Sequence, residues 1–229
     1  MPPGGARTML EAVQLSRTDD VTGTTLLHPC DLTLARGERL VVTGPSGSGK
    51  SVLMRALAWL DRPQGVLRWH GHAIDRARVP AFRAAVAYVR QRPALFDGRV
   101  EDNLRVPFEL HIHRHRRYER ERVLAYLAHA GRDATFLEQR ADDLSGGEQQ
   151  LVALVRTLQL APSVLLLDEP TASLDPQTTL AVEAMIDGWF EHTPQAAFAW
   201  VTHDLAQARR VGRRFATVHA GVFATSPPP

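Results

Sequence analysis

Apolar and polar residues alternate along the first part of the chain. The alternation runs from Met9 to Thr43, places Leu32 and Leu34 on one face, and turns at residues 35–38. A period of two is typical of strands with one buried face, so we predict antiparallel β-structure here. The last five residues, 39–43, are apolar enough to form a buried strand.

Later segments alternate between helix and strand patterns. Val52–Leu57 predicts a short helix, and apolar residues at spacings of 3, 4 and 7 within residues 151–158 predict a longer one that ends before Pro162. The uninterrupted apolar runs 164–167 and 197–202 predict buried parallel strands. Such an alternation of strands and helices predicts the α/β class.

The composition changes between these blocks. Arginine and histidine become frequent in residues 99–144, and the apolar spacing at Val123, Tyr126, Leu127 and Ala130 becomes helical. We therefore expect a helical subdomain inserted into a single domain. Its expected parts are a core at about 1–98 and 160–225, the helical subdomain at about 99–159, and a frayed tail at 226–229.

Composition and charge narrow the class of protein. The 229 residues are 44% hydrophobic and carry a formal net charge of only +2, so we expect no nucleic-acid partner. Cys30 is the single cysteine, which excludes an intrachain disulfide, and we expect it to be a small buried hydrophobe. No secretory signal and no apolar stretch of roughly 20 residues is found, so we expect a cytoplasmic protein that meets a membrane only through a partner.

A glycine-rich loop follows the buried strand at residues 39–43. Of the 27 lysine and arginine residues, only Lys50 is a lysine. A compact ammonium fits inside a ring of backbone groups where a planar guanidinium does not, so Lys50 is a candidate phosphate ligand. The loop matches G-x-x-x-x-G-K-[ST] between a strand and a helix, which indicates a nucleotide phosphate site. Its residues are Gly44, Pro45, Ser46, Gly47, Ser48, Gly49, Lys50 and Ser51, and the Ser51 hydroxyl is a candidate Mg²⁺ ligand.

Two carboxylates follow the apolar run 164–167. Asp168 and Glu169 lie where a buried strand ends, at the edge where open α/β sheets bind ligands. We expect Asp168 to hold Mg²⁺ through water and Glu169 to accept a proton from the water that attacks the γ-phosphate. The alternative is a solvated acidic strand end.

A third motif is specific to one family. Residues 144–150, Leu-Ser-Gly-Gly-Glu-Gln-Gln, resemble the signature sequence of ATP-binding cassette (ABC) ATPases. Gln91 resembles the family's Q-loop glutamine, residues 173–175 its D-loop and His203 its switch histidine, so the resemblance covers nearly the whole chain. It implies a P-loop NTPase fold with a mostly parallel central sheet, an antiparallel β subdomain and an inserted helical subdomain.

The resemblance also implies a role for each motif. Two copies would pack head to tail as an ATP-bound homodimer, each ATP lying between the loop 44–51 of one chain and the signature of the other. The signature ligands would be Ser145, Gly146, Gly147 and Glu148, and Asp175 would reach across the dimer. Catalysis would rest on Lys50, Glu169, Gln91 and His203, with Ser51, Asp168 and Gln91 around Mg²⁺. The alternatives are a strand-end cap for His203 and a polar loop residue for Gln91.

The chain departs from the family in three places. Residues 15–20 lack the aromatic residue that commonly stacks on adenine. A guanidinium plane can stack on a base, so Arg17 is the candidate substitute, and the alternative is a solvated loop. Glu148 stands where glutamine is commoner and Leu151 where arginine often follows. We expect neither residue to touch the serine and glycines of the signature. Glu148 nevertheless bears on the strength of the contact between the signature and ATP.

The run at residues 111–117 is rich in arginine and has histidine at every second position from 111 to 115. Histidines on one face of an extended segment can bind a metal, but arginines repel cations and no acidic or cysteine partner is near in sequence. We therefore interpret the run as a solvated surface near a membrane partner.

These features favour the ATPase subunit of an ABC transporter, peripheral on the cytoplasmic face of the membrane and bound to a separate integral membrane subunit. Stretches 42–45, 93–104 and 155–159 are similar to the small iron-export (metal-resistance) ABC ATPases. The alternatives are a lipoprotein-release or peptide-export ATPase, and a soluble ABC ATPase of DNA repair or translation. Soluble members usually have two fused cassettes or a long coiled coil, which this chain lacks. A P-loop kinase would leave the signature unexplained.

Overall fold

The computed structural model describes residues 8–193 and 195–229. They separate into two compact units. The first unit holds residues 8–88, 163–169 and 195–229, and the second holds residues 89–162 and 170–193.

Two sheets build the first unit. A four-stranded antiparallel sheet has the order β2-β1-β4-β5, with β1 at Thr8–Thr18, β2 at Thr25–Ala35, β4 at Gln64–Trp69 and β5 at His72–Ala73. A six-stranded sheet has the order β10-β9-β3-β8-β7-β6, with β3 at Arg39–Thr43, β6 at Val86–Val89, β7 at Val164–Asp168, β8 at Ala197–Val201, β9 at Arg214–His219 and β10 at Val222–Ser226. The α/β class and the antiparallel β region are thereby confirmed.

Parallel pairing aligns the ends of the central strands. Val42 pairs with Val201, and Val201 pairs with Asp168, so β3, β8 and β7 end side by side. All residues of β7 and β8 are buried, which is the reason for their uninterrupted apolar sequences. The helices of this unit are α1 (Lys50–Leu57), α2 (Val79–Ala85) and α7 (Leu205–Val211), and α1 packs against β7 and β1.

The second unit is helical. It contains α3 (Val100–Arg105), α4 (Arg120–His129), α5 (Gly146–Leu158) and α6 (Pro176–His192), with 3₁₀ turns at Val106–Glu109, His111–His113, Ala134–Glu138 and Ala141–Asp143. The apolar stripe predicted within 151–158 is buried along α5, which ends at Leu158, ahead of Pro162. The unit also includes α6, because α6 packs against α4 and α5, whereas the predicted helical range 99–159 left it out.

Two expectations about single segments differ from the structure. Ser226 was expected in the frayed tail, but it pairs with Phe215 and extends β10, because the hairpin with β9 satisfies its backbone. The run 111–117 is not wholly a solvated surface, since His113 is only 5% exposed. Burial lowers the pKa of His113, and Arg116 and His115 lower it further.

Candidate functional site

The phosphate loop needs glycine at two positions. Gly44 and Gly49 have φ of 146° and 105°, which L side chains rarely adopt. A Cβ on Gly44 would lie 2.1 Å from the carbonyl oxygen of Val218, and one on Gly49 would lie 3.0 Å from that of Leu26. The loop therefore follows neighbouring backbone too closely for any side chain.

Lys50 lies inside this loop. Lys50 is the first residue of α1 and is buried, and its Nζ donates to the carbonyl oxygens of Gly44 at 2.8 Å and Pro45 at 2.7 Å. The lysine ammonium carries its three N–H donors on one nitrogen, which suits this enclosed position. The planar guanidinium of arginine, with five N–H donors, would not fit there. This explains why the single lysine of the chain lies here.

Asp168 is held by a residue that the sequence analysis missed. Asp168 is 4% exposed at the end of β7, and the Tyr88 hydroxyl donates to its Oδ2 at 2.9 Å. β6 neighbours β7 in the sheet, so Tyr88 approaches Asp168 from the adjacent strand. The sequence signal for this contact was the position of Tyr88, near the end of a strand and close to Gln91 along the chain. The hydrogen bond fixes the orientation of a carboxylate suited to Mg²⁺.

Glu169 and His203 are neighbours at the same edge. Glu169 follows β7 and donates its backbone N–H to Val201, and His203 follows β8. His203 Nδ1 lies 3.6 Å from Glu169 Oε2, and the two side chains are 69% and 18% exposed. The structure thus brings together a carboxylate that can accept a proton and an imidazole that can orient it.

Arg17 lies in β1 rather than in a loop and is partly buried, and its contact with adenine stays a prediction. Its guanidinium binds both carboxylate oxygens of Asp20, at 2.9 and 2.7 Å, and its side chain is 18% exposed. It lines a cavity of about 480 Å³ together with Asp20, Arg62, Pro63 and Gln64. Arg17 pairs with Leu27 in the β1–β2 ladder, next to the Leu26 carbonyl that approaches Gly49. This cavity therefore lies beside the β1–β2 ladder, and β2 of that ladder reaches the phosphate loop at Gly49.

The signature caps α5 in the second unit. Ser145 is the N-cap residue, and its backbone N and Oγ both donate to Glu148 Oε2, at 2.9 and 2.8 Å. The Glu148 N–H donates back to Ser145 Oγ at 3.3 Å, which completes a capping box. The expectation that Glu148 does not touch the signature serine is therefore wrong. The spacing S-x-x-E was the signal for this contact.

Residues 173–175 lie against the signature. A Cβ on Gly147 would be 2.9 Å from the side chain of Leu174, so the two residues are in close contact. Asp175 caps α6, with Oδ1 accepting from the backbone of Gln177 and Thr178 and Oδ2 accepting from the Thr178 hydroxyl. These hydrogen bonds lower the pKa of Asp175. Its expected reach across a dimer stays a prediction.

A cavity of about 480 Å³ opens between these two motifs. Its lining residues are Arg132, Ser145, Gly146, Gly147, Glu148, Leu151, Ser173, Leu174, Asp175 and Thr178. The predicted signature ligands thus share one pocket. Leu151 also lines it, which the sequence analysis did not expect.

Gln91 lies directly after β6, at the start of the second unit. It is exposed, and the preceding residue, Arg90, accepts a hydrogen bond from Gln150 of α5. Ser51, Asp168, Glu169 and His203 all belong to the first unit. The contact of Gln91 with Mg²⁺ stays a prediction.

The fold and the edge site define the class of protein. A G-x-x-x-x-G-K-S loop between strand and helix, beside two carboxylates at the carboxyl edge of a mostly parallel sheet, is the arrangement of a P-loop nucleoside triphosphatase. Comparisons with known proteins define the family within that class.

The family model for the ABC transporter matches residues 27–172. Protein STAR1 of Oryza sativa is 37% identical over 216 residues, which are 94% of this chain and 61% of STAR1. The probable iron export ATP-binding protein FetA of Escherichia coli is 36% identical over 180 residues, 78% of each chain. The structure is similar to an ATP-binding subunit of an ABC transporter, with a TM-score of 0.82, 27% identity and coverage of 96% of this chain and 90% of that one.

A second similar solved structure contains bound nucleotide. It is a dimeric ATP-binding cassette in a post-hydrolysis state bound to ADP and phosphate, with a TM-score of 0.82, 26% identity and coverage of 96% of this chain and 99% of that one. The chain belongs to the ABC transporter family and is an ABC ATPase. None of the helices within residues 8–193 and 195–229 is long and apolar enough to cross a bilayer.

Replacing Lys50 by arginine should abolish most of the ATPase activity. The charge is kept, but a guanidinium cannot occupy the enclosed position between the carbonyls of Gly44 and Pro45. We expect a loss of roughly 100-fold in turnover, similar to the loss of one phosphate-stabilising donor. Phosphate release measured on purified protein checks this.

Arg36→Lys is the matched control, because Arg36 lies exposed in the turn between β2 and β3. It should turn over ATP at the normal rate. Normal turnover by Lys50→Arg as well would contradict the assignment of Lys50 as a phosphate ligand that geometry selects.

Proposed function

We propose that this chain hydrolyses ATP as a homodimer and thereby powers a separate integral membrane subunit. The observation that carries the proposal is the convergence of the phosphate loop, Asp168, Glu169 and His203 at one sheet edge. Phosphate binding alone would not require Glu169 beside His203. Hydrolysis uses a residue next to the γ-phosphate that accepts a proton from the attacking water or orients that water.

Each side chain at the edge has a proposed task. Glu169 accepts a proton from the attacking water, and His203 contacts the γ-phosphate and holds the Glu169 carboxylate in place. Lys50 and the loop amides neutralise the phosphates, with the N-terminus of α1 adding a favourable dipole. These tasks agree with the burial of Lys50 and the exposure of His203, which lies open to an incoming ligand.

Ser51 and Asp168 are suited to hold Mg²⁺. A hydroxyl and a carboxylate are hard oxygen donors of the kind that this ion prefers, and the Tyr88 hydrogen bond fixes the Asp168 carboxylate. The bound ion would neutralise charge on the phosphates. Gln91 is proposed as a further ligand on the strength of the family resemblance.

The homodimer is proposed from the signature. Ser145 and the glycines present α5 amides to a pocket of about 480 Å³ in the second unit, a site for an anion at a helix N-terminus. In a head-to-tail dimer this pocket would take the γ-phosphate of an ATP bound at the loop of the other copy. The dimeric relative bound to ADP and phosphate supports this.

The transport role is proposed from the relatives. FetA carries the name of an iron export protein, whereas a relative from Natronomonas pharaonis, 35% identical over 87% of this chain, carries the name of a phosphate import protein. We propose metal export, since residues 42–45, 93–104 and 155–159 resemble the iron-export ATPases. The membrane subunit would select the cargo and hold this chain at the cytoplasmic face.

Glu169→Gln should bind ATP, hydrolyse it about 100-fold or more slowly, and accumulate as a dimer, because the amide keeps the shape but accepts no proton. Size-exclusion chromatography with light scattering, with and without ATP and Mg²⁺, reports the dimer. Glu191→Gln on the exposed end of α6 is the control and should behave as the parent chain. A fully active Glu169→Gln protein would remove Glu169 from the role of base.

Arg17→Ala should weaken ATP binding about 5-fold, since we propose that the Arg17 guanidinium covers the adenine, a cation–π contact of modest energy. Tripolyphosphate, which has no base, should bind both proteins equally. Isothermal titration with both ligands measures the difference, with Arg36→Ala as the control. Unchanged ATP affinity would show that Arg17 does not cover the base.

Affinity purification of the tagged chain from membranes solubilised in mild detergent should yield a stoichiometric integral membrane protein. Mass spectrometry identifies this membrane protein, and the transported cargo can then be sought with that subunit. Purification of ribosomes or DNA instead would favour a soluble ABC ATPase. The Lys50→Arg protein should retain the partner, because the proposed docking does not involve the phosphate loop.

A further inference from the structure

A carboxylate occupies the pocket that is proposed to receive a phosphate. Glu148 Oε2 accepts hydrogen bonds from both the backbone N–H and the hydroxyl of Ser145. The hydroxyl proton of Ser145 therefore points to Glu148. A carboxylate at this position opposes an incoming anion by charge and also competes with it for the serine proton.

Arg132 faces this carboxylate from the loop that follows α4. Its Nη2 lies 3.2 Å from Glu148 Oε1, and the two side chains are 41% and 21% exposed. Its Cζ lies 5.5 Å from the centroid of the Phe136 ring, and Phe136 is buried. The ring and the carboxylate hold the guanidinium on the pocket wall.

The charges that line the pocket show why Arg132 matters. Among the described residues that line it, Arg132 is the only cation, and Glu148 and Asp175 are the carboxylates. Asp175 is already engaged by the cap of α6. The pocket thus carries one uncompensated negative charge with Arg132 and two without it.

We propose that Arg132 is a positioning residue that makes the signature pocket receptive to the γ-phosphate of a second copy, by cancelling the charge of Glu148 and holding its carboxylate. The inference rests on the proposed function. It assigns Arg132 no direct contact with the nucleotide. It also explains how the chain carries glutamate in its signature and still binds an anion there.

A set of four proteins tests the inference, all in the Glu169→Gln background so that hydrolysis does not deplete the dimer. They are the parent, Arg132→Ala, Glu148→Gln, and the double variant. The measured quantity is the ATP concentration at which half of the protein is dimeric, determined by light scattering. Glutamine at position 148 keeps the capping box, so α5 should not be disturbed.

The net charge of the pocket predicts the order of the four midpoints. Arg132→Ala should need about 10-fold more ATP than the parent, and Glu148→Gln should need less than the parent. The double variant restores the parent's pocket charge and should return close to the parent midpoint. Raising the salt concentration should reduce these differences, because exposed charges are screened. Arg117→Ala, an exposed arginine of the same unit, should leave the midpoint unchanged.

Four outcomes would overturn the inference. Equal midpoints in all four proteins would show that Arg132 has no part in dimerisation. A double variant as weak as Arg132→Ala would show that Arg132 acts on the nucleotide itself or on the fold. A parent that does not dimerise with ATP would remove the proposed function and this inference together. If Arg132→Ala does not fold, Glu148→Gln still tests the inference. An ATP midpoint lower than that of the parent supports the inference, and an unchanged midpoint overturns it.

Discussion

Parallel pairing of buried strands is the constraint on which the site depends. β7 and β8 are buried along their whole lengths, so their backbone groups must be satisfied by the strands beside them. Parallel strands in register end at one edge, and the chain must leave the sheet there. Lys50, Asp168, Glu169 and His203 lie within a few residues of those ends. The chemistry is thereby assembled from distant parts of the sequence without any long loop.

In the second unit, helix termini rather than strand ends bring the candidate site residues together. The first amides of α5 and α6 lack partners within their helices, and Ser145 and Asp175 satisfy some of them. Leu174 packs on Gly147, so the start of α6 lies next to the start of α5. The starts of both helices then border one pocket, which Arg132, Glu148 and Asp175 also line. The proposed anion site would use the Gly146 and Gly147 amides at the start of α5.

The motifs were predictable because their chemistry is local. The loop 44–51, the strand before Asp168 and the apolar face of α5 each depend on neighbouring residues, and the structure confirms the strands and helices that carry them. The contacts of Tyr88 with Asp168 and of Arg132 with Glu148 join residues 80 and 16 positions apart, which periodicity does not reveal. The burial of His113 and the pairing of Ser226 with Phe215 were also missed. The capping box of Ser145 and Glu148 is local and was nevertheless overlooked.

Glu169 has φ of 47°, in the left-handed region that residues with a side chain rarely adopt. Holding an ordinary residue there costs about 1–3 kcal/mol, which the surrounding ladder must offset. Glycine would adopt this conformation without strain, so the backbone here would be more stable without the carboxylate that we propose as the base. Selection for stability alone would therefore remove Glu169, and its presence at a strained position agrees with the proposed role of its carboxylate.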